Sequence, residues 1–299
     1  MRPSFTIIVL LFSLFINAGE AADYLREFSR TGMADYKKEQ EIVAGYTSEN
    51  LTNEISPFYN DSVALVRQKA YYLTYKNAIV RNEGRGNAVN ILLKGCFDND
   101  NGVVYQNVSF LKEFNRADFD TQALDLLQAK LTSQRIAHYK EFVLLAGFLG
   151  TGKNILYQKF IDPGTNEKQK WYLSLALARM GNPENISYCM NKVRNLPIND
   201  NVVDYVVPDL VYIRQKESID FCISILNGEE KLCHSLNPDV SESIHCGFRI
   251  MDILSPIIEG MPVLDESLNL SNADYEKHLA KVRQWFASNP NYIIKYSTF

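Results

Sequence analysis

Two dipeptides carry the most explicit chemistry in this sequence. Cys233-His234 and His245-Cys246 flank the polar stretch HSLNPDVSESIH. Four such side chains converging on one point would make a tetrahedral Cys2His2 zinc site. Neighbouring side chains along a chain diverge, so two adjacent Cys-His pairs seldom aim at a single metal. A disulfide needs only the two sulfurs to meet, and a loop of this size closed by one would contribute roughly 3 kcal/mol. Cys233 and Cys246 are therefore the disulfide candidate. Zinc and unlinked residues stay open as alternatives, and no metal site or cofactor is assigned.

GFLGTGKN (147–154) fits the phosphate-cradling spacing G-x-x-x-x-G-K. Such a loop uses backbone N–H groups, a Lys and a Ser or Thr for magnesium. Asn154 stands where the Ser or Thr is needed. The segment also aligns with a later one, which explains it as a turn. DNDNG (98–102) opens like a calcium loop, but Val103 and Ser109 fill the positions that need Gly and Glu. Neither G-x-S-x-G nor H-E-x-x-H occurs. The carboxylate pairs Asp118/Asp120 and Glu229/Glu230 read as turn formers. No catalytic residue is assigned.

Tyr and Arg offer the other chemistry. Arg67, Tyr71 and Tyr75 fall at helical spacing on one segment. Trp171, Tyr172, Arg179, Tyr212 and Arg214 hold comparable places further on. Large rigid rings and guanidinium groups in a row would suit recognition of a protein or a glycan. They would serve equally well as core and ordinary surface.

The elements that must position these residues are helices. Apolar residues recur at i, i+3, i+4, i+7 over 62–80, 86–96, 103–114, 120–131, 135–149, 153–161, 167–180, 184–194, 200–213, 217–227, 241–258 and 272–287. Asp61 and Ser271 are candidate N-caps. The segment 22–58 is less regular. Internal repetition is the strongest signal. FVLLAGFLGTGKNILY (142–157) aligns with LSLALARMGNPENISY (173–188), matching Leu144/Leu175, Gly150/Gly181, Asn154/Asn185, Ile155/Ile186 and Tyr157/Tyr188. A further shift matches Leu177/Leu210, Glu184/Glu217, Ile186/Ile219 and Cys189/Cys222, and no helix-end Gly follows Tyr212.

ALARMGNPENI (176–186) resembles a helix end, turn and helix start of HEAT-like repeats of the phycobilisome-lyase type. VRQKAYYL (66–73) resembles the Val-Arg-x-x-Ala helix of the same family. The resemblance implies an all-α fold, an α-α superhelix (HEAT/armadillo-like solenoid) of about six helix pairs, with a tetratricopeptide array as the runner-up. Residues 61–228 would form the repeats, with 22–58 and 229–299 as caps on a single domain. The tail NYIIKYSTF would pack back on the last repeat.

Composition and the chain start bound the function. Of 299 residues, 46% are hydrophobic and 22% charged, with a net charge of −4. That excludes a disordered chain and argues against nucleic acid as the partner. Residues 1–21 read as a signal peptide: Arg2, an apolar run from Thr6 to Ile16 too short to span a bilayer, then Gly19 and Ala21 at the small-residue positions. The expectation is an exported protein, periplasmic or extracellular, with no membrane span after cleavage. Five N-x-S/T sequons occur, at Asn50, Asn60, Asn107, Asn185 and Asn269. The expected role is a non-enzymatic scaffold binding a protein partner, or less directly a glycan, through a concave face. An enzyme or enzyme accessory on the same helices is the alternative.

Overall fold

The structure is a computed structural model that describes residues 19–133, 135–235, 242–263 and 272–299. The body of the expected signal peptide (1–18), the Ser271 cap and the Asn269 sequon lie outside these residues. The chain is all-α. The described residues hold fifteen α-helices and one two-stranded antiparallel ribbon. Where the sequence suggested one continuous domain, the chain divides into two compact units between Gln106 and Asn107.

In the first unit, 22–58 is regular rather than an irregular cap. It forms α1 (Glu20–Thr31), α2 (Tyr36–Gly45) and α3 (Ser48–Ile55), followed by a 3-10 turn at Ser56–Asn60. Gly32 ends α1 at φ +68°, and the Asp35 and Thr47 side chains accept the Lys38 and Asn50 N–H groups to start α2 and α3. All three helices pack on α4 (Ala64–Arg81), which α5 (Arg85–Gly95) also contacts. Their shared core includes Leu25, Ile42, Leu51, Ile55, Val66, Ala70 and Leu73. Asn77 of α4 is buried, and its Nδ2 donates to the Val43 and Tyr46 carbonyls at 2.9 Å each. That bonds the α2–α3 turn to the central helix. Asp61 does not cap α4: its side chain accepts from Val63 N–H, and Val63 holds the cap position without a side-chain bond.

α6 (Asn101–Leu111) runs across the division. The second unit continues with α7 (Thr121–Thr132), α8 (Tyr139–Leu149), α9 (Lys153–Ile161), α10 (Glu167–Arg179), α11 (Pro183–Val193), α12 (Val207–Ile213) and α13 (Lys216–Leu226). It closes with β1 (Cys233–His234), β2 (Ser243–Ile244), α14 (Gly247–Leu254) and α15 (Asn272–Ser288). Successive helices stack as pairs: α8, α10, α12 and α14 contact in turn, α7 lies on α9, and α11 lies on α13. Two expected helices differ. The 200–213 segment opens as a π-turn at Val202–Val206, because Pro208 has no N–H and its ring crowds the carbonyl one turn back. The 241–258 segment is a short strand and then α14.

The repeated turns have a common geometry. Gly150 and Gly181 end α8 and α10 at φ +71° and +78°, and Asn182 caps α11 with Pro183 in its first turn. The G-x-x-x-x-G-K spacing is thus a helix end, a turn and a helix start. Gly147, its first glycine, lies at the crossing of α8 and α10. A Cβ there would stand 2.7 Å from Ala176 Cα and collide with the Tyr212 hydroxyl. In an open helix, Gly→Ala stabilises by about 1 kcal/mol. Here the contact reverses the sign: Gly147→Ala should destabilise the chain by about 1–3 kcal/mol, measured by urea or thermal unfolding.

Candidate functional site

The structure separates the Tyr and Arg residues that the sequence placed in one row. In the first unit, Arg67 of α4 forks onto Asp98, Nε and Nη2 donating at 2.6 and 2.7 Å, while Nη1 donates to the Asp61 carbonyl at 2.7 Å. Tyr71 is buried and stacks on Tyr59 with ring centroids 4.9 Å apart. Burial pushes the Tyr71 phenol up to about 12. Burial also disfavours the Asp98 carboxylate, but Arg67 and the Asp100 N–H outweigh it and hold its pKa below the ordinary value. Tyr75 is half-buried on the same helix. Around this pair lies a cavity of about 380 Å3, lined in part by Asn60, Lys94, Phe97 and Asn99. Arg67 is therefore an internal clamp between α4 and the α5–α6 turn rather than a free recognition group. The DNDNG segment supplies Asp98 to that clamp and Asp100 to the start of α6, where it accepts Val103 N–H at 2.9 Å.

In the second unit the row breaks into two clusters along the helices. Trp171 and Tyr172 stand near the start of α10. Trp171 Nε1 donates to Asp209 Oδ2 at 2.7 Å, and Lys140 approaches both Asp209, at 3.3 Å, and the Tyr172 ring. Arg179 lies eight residues on, about 12 Å along a helix. With Tyr212 and Arg214 it forms the second cluster, and all three are buried, against the expectation of an exposed face.

This second cluster sits where α8, α10 and α12 end. Tyr212 donates its hydroxyl hydrogen to the Leu144 carbonyl at 2.5 Å. The Arg179 guanidinium lies 4.8 Å from the Tyr212 ring centre and 5.2 Å from that of Phe148. Arg179 Nη1 donates to the Tyr212 carbonyl at 2.5 Å, Arg214 Nη1 to the Val211 carbonyl at 2.9 Å, and Arg116 Nη2 to the Leu149 carbonyl at 2.7 Å. Burial lowers the Arg179 pKa, with the Arg116 charge adding to the effect. Burial together with Arg179 pushes Arg214 down to about 10.

Arg214 explains the helix-end glycine missing after Tyr212. It occupies the place of Gly181 one repeat on and takes the left-handed conformation itself, at φ +57°. A residue with a Cβ is strained there by about 1 kcal/mol or more. A groove of about 350 Å3 opens at these helix ends, lined by Arg116, Phe148, Arg179, Met180, Gln215 and Tyr296 among others.

The tail does not merely pack on the last helix pair, as the sequence suggested. Ile258 and Ile294 form a β-bridge, and Lys295 N–H donates to the Ile257 carbonyl at 2.8 Å. Beyond it the chain reaches back to α8. The Phe299 ring packs at 5.7 Å from Phe148 and 5.5 Å from Tyr212, with Lys112 Nζ 5.1 Å from its centre. Arg179 Nη2 donates to the Thr298 carbonyl at 2.8 Å, and Arg214 Nη2 to the main-chain oxygen of Phe299 at 3.2 Å. The sequence marked Arg179, Tyr212 and Arg214 but missed Phe148, Arg116, Lys112 and Phe299. Only the absent glycine at Arg214 pointed to this place.

The Cys-His pairs resolve by direction. Cys233 and Cys246 form a disulfide, with Cα atoms 5.0 Å apart. His234 is turned to solvent, and its Nδ1 lies 2.7 Å from Asp200. His245 Nε2 stands 3.6 Å from Glu276. Among the described residues no three His, Cys, Asp or Glu side chains form a metal-sized group. The remaining thiols, Cys96, Cys189 and Cys222, are buried, and burial pushes Cys189 and Cys222 up to about 12, far from reactive thiolates. Two sequons are also closed to modification: Asn107 and Asn185 are buried inside α6 and α11, whereas Asn50 and Asn60 are exposed.

Replacing Cys233 and Cys246 together by Ser should lower unfolding stability by about 3 kcal/mol, less any structure retained in the unfolded loop, as read by urea titration. Arg67→Gln leaves Asp98 half-bonded in a nearly buried place and should cost about 2 kcal/mol, with the thermal midpoint as readout. Compared with protein-family models, with curated proteins and with solved structures, the chain matches none of them.

Proposed function

We propose that this chain is an exported, non-enzymatic helical-repeat protein that holds a protein partner in the groove at the ends of α8, α10 and α12. One observation carries the reading: the helix ends around the groove already hold the last residues of a polypeptide, Thr298 and Phe299, through main-chain hydrogen bonds and one aromatic side chain. Recognition of an extended segment by main-chain bonds, with a side-chain slot for selectivity, is a general mode of peptide binding. The repeat alignment supports a HEAT-like scaffold, since Gly150, Gly181 and Arg214 are equivalent helix ends with equivalent backbone.

Export rests on the pattern of residues 1–21. Cleavage after Ala21 falls within the first turn of α1. It removes Glu20, which pairs with Lys38 at 2.6 Å, and Ala21, which is fully buried. It leaves an ammonium on Ala22, whose nitrogen lies 2.8 Å from Glu54 Oε1. Cleavage there would turn this hydrogen bond into a charge-assisted one.

The test is photo-cross-linking in the cells that produce the protein. A photoreactive residue at Gln215, in the groove, should yield a discrete cross-linked protein. The same residue at Glu184, exposed on α11, should not. Equal yields at both positions, or none at Gln215, reject the groove as the binding face.

A further inference from the structure

The cavity beside Arg67 lies wholly within the first unit. It is bounded by the 3-10 turn at Ser56–Asn60, by α4 and by the end of α5, and encloses about 380 Å3. Its floor is fixed by internal bonds. Arg67 is forked onto Asp98 and bonded to the Asp61 carbonyl, and Tyr71 is stacked on Tyr59. The Tyr59 hydroxyl is bonded to Thr74 Oγ1 at 2.5 Å. Tyr71 differs. It is 5% exposed and lines the cavity, and its hydroxyl makes no hydrogen bond among the described residues. Buried polar groups are nearly always bonded, so this hydroxyl is left for whatever the cavity holds.

The other groups around it are of mixed kind. Asn60 and Asn99 bring exposed amides and Lys94 an exposed ammonium. Asp61 brings a second carboxylate oxygen beside the one that accepts Val63 N–H. The charges balance, Arg67 and Lys94 against Asp61 and Asp98. That balance argues against a phosphate or another strongly charged ligand, which needs charge of one sign in excess. The polar lining argues against a lipid, whose entry would strip water from the amides and carboxylates and return no hydrogen bonds. Phe97 adds a single aromatic ring at the edge, 43% exposed.

We infer that this cavity is a binding site for a neutral carbohydrate, one or two rings of a glycan. The site is separate from the groove at the helix ends, which belongs to the second unit. A hydroxyl donates one hydrogen bond and accepts two, so a ring carrying several satisfies amides, ammonium and carboxylate alike. Bonds to Lys94 and Asp61 are charge-assisted without any charge on the ligand. The Phe97 ring offers its negative face to the C–H side of the sugar. At the floor, Tyr71 donates its hydroxyl hydrogen to a sugar oxygen. The volume lies at the lower end of small-molecule sites, about 300–1,000 Å3, which sets the size at one or two rings. The Arg67–Asp98 fork and the tyrosine stack hold the floor in place beforehand, so binding orders little of the protein.

The experiment uses the full-length chain, produced in a host that leaves the Asn60 sequon unmodified, and saturation-transfer NMR. The probes are neutral disaccharides of glucose, galactose, mannose and N-acetylglucosamine. Glucose 6-phosphate and octanol stand for the charged and apolar alternatives. At least one disaccharide should receive saturation, and its titration gives the affinity. Tyr71→Phe, which keeps the ring stack, should weaken that disaccharide about fivefold, the worth of one neutral hydrogen bond. Asn99→Ala should cost about the same factor, and Phe97→Ala about tenfold. Glu184→Ala, exposed on α11 of the second unit, should change nothing. Thermal midpoints show whether Tyr71→Phe has disturbed the fold, in which case the exposed positions Asn99 and Phe97 decide the matter. Saturation of no disaccharide, stronger binding of glucose 6-phosphate or octanol, or disaccharide binding that survives all three substitutions overturns the inference.

Discussion

The second unit depends on where its helices stop. A helix that ends in a left-handed residue turns its chain sharply and leaves its last carbonyls aimed outward. In α8 and α10 that residue is Gly150 or Gly181, and after α12 it is Arg214. Because the three stops are equivalent in the repeat, three sets of unsatisfied carbonyls come together. Side-chain donors meet all three ends: Arg116 on Leu149 of α8, Gln215 Nε2 on the Arg179 carbonyl of α10 at 3.4 Å, and Arg179 and Arg214 on Tyr212 and Val211 of α12. The cationic groove follows from the capping requirement. Positive side chains are drawn to helix C-termini, and stacking the helices in register gathers those side chains in one place.

The same register explains the close crossing next to it. Gly147 lets α8 approach α10 at Ala176, and Tyr212 fits its hydroxyl into the space to reach the Leu144 carbonyl. Tyr212 thereby fixes one wall of the aromatic slot. Arg179 lies over Tyr212 and Phe148 and fixes the other side. A buried guanidinium with no carboxylate is tolerated here because its donors meet carbonyls and its face meets two rings, which together replace much of its lost hydration.

Much of the helical architecture was legible in the sequence, because period and punctuation agree. The segments 153–161, 167–180 and 184–194 stand within a residue of α9, α10 and α11, and Gly181-Asn182-Pro183 forms the helix end, cap and start its residue types specify. α1 to α3 were not legible, since helices of eight to twelve residues separated by short capped turns give each apolar period only two or three turns. The site was half legible. Arg179, Tyr212 and Arg214 stood out by type and repeat position, but burial decides whether such residues recognise a partner or hold the fold, and burial depends on chain far away. Phe299 lies 151 positions from Phe148, and no local pattern in either segment announces their contact. Arg67 shows the converse: its spacing suited a recognition row, and a carboxylate 31 positions on, Asp98, took it for the interior.

The C-terminal segment is held at two separated places. Lys295 N–H on the Ile257 carbonyl, Glu259 N–H on the Ile293 carbonyl at 3.0 Å and the Ile258–Ile294 bridge fix its start outside the groove. Further on, Arg179 and Arg214 donate to the Thr298 and Phe299 main-chain oxygens, and the Phe299 ring lies against Phe148 and Tyr212. The first hold needs only neighbouring chain. The second exists because α8, α10 and α12 stop in register, so the seat of the last two residues follows from the same helix ends that gather the guanidinium groups.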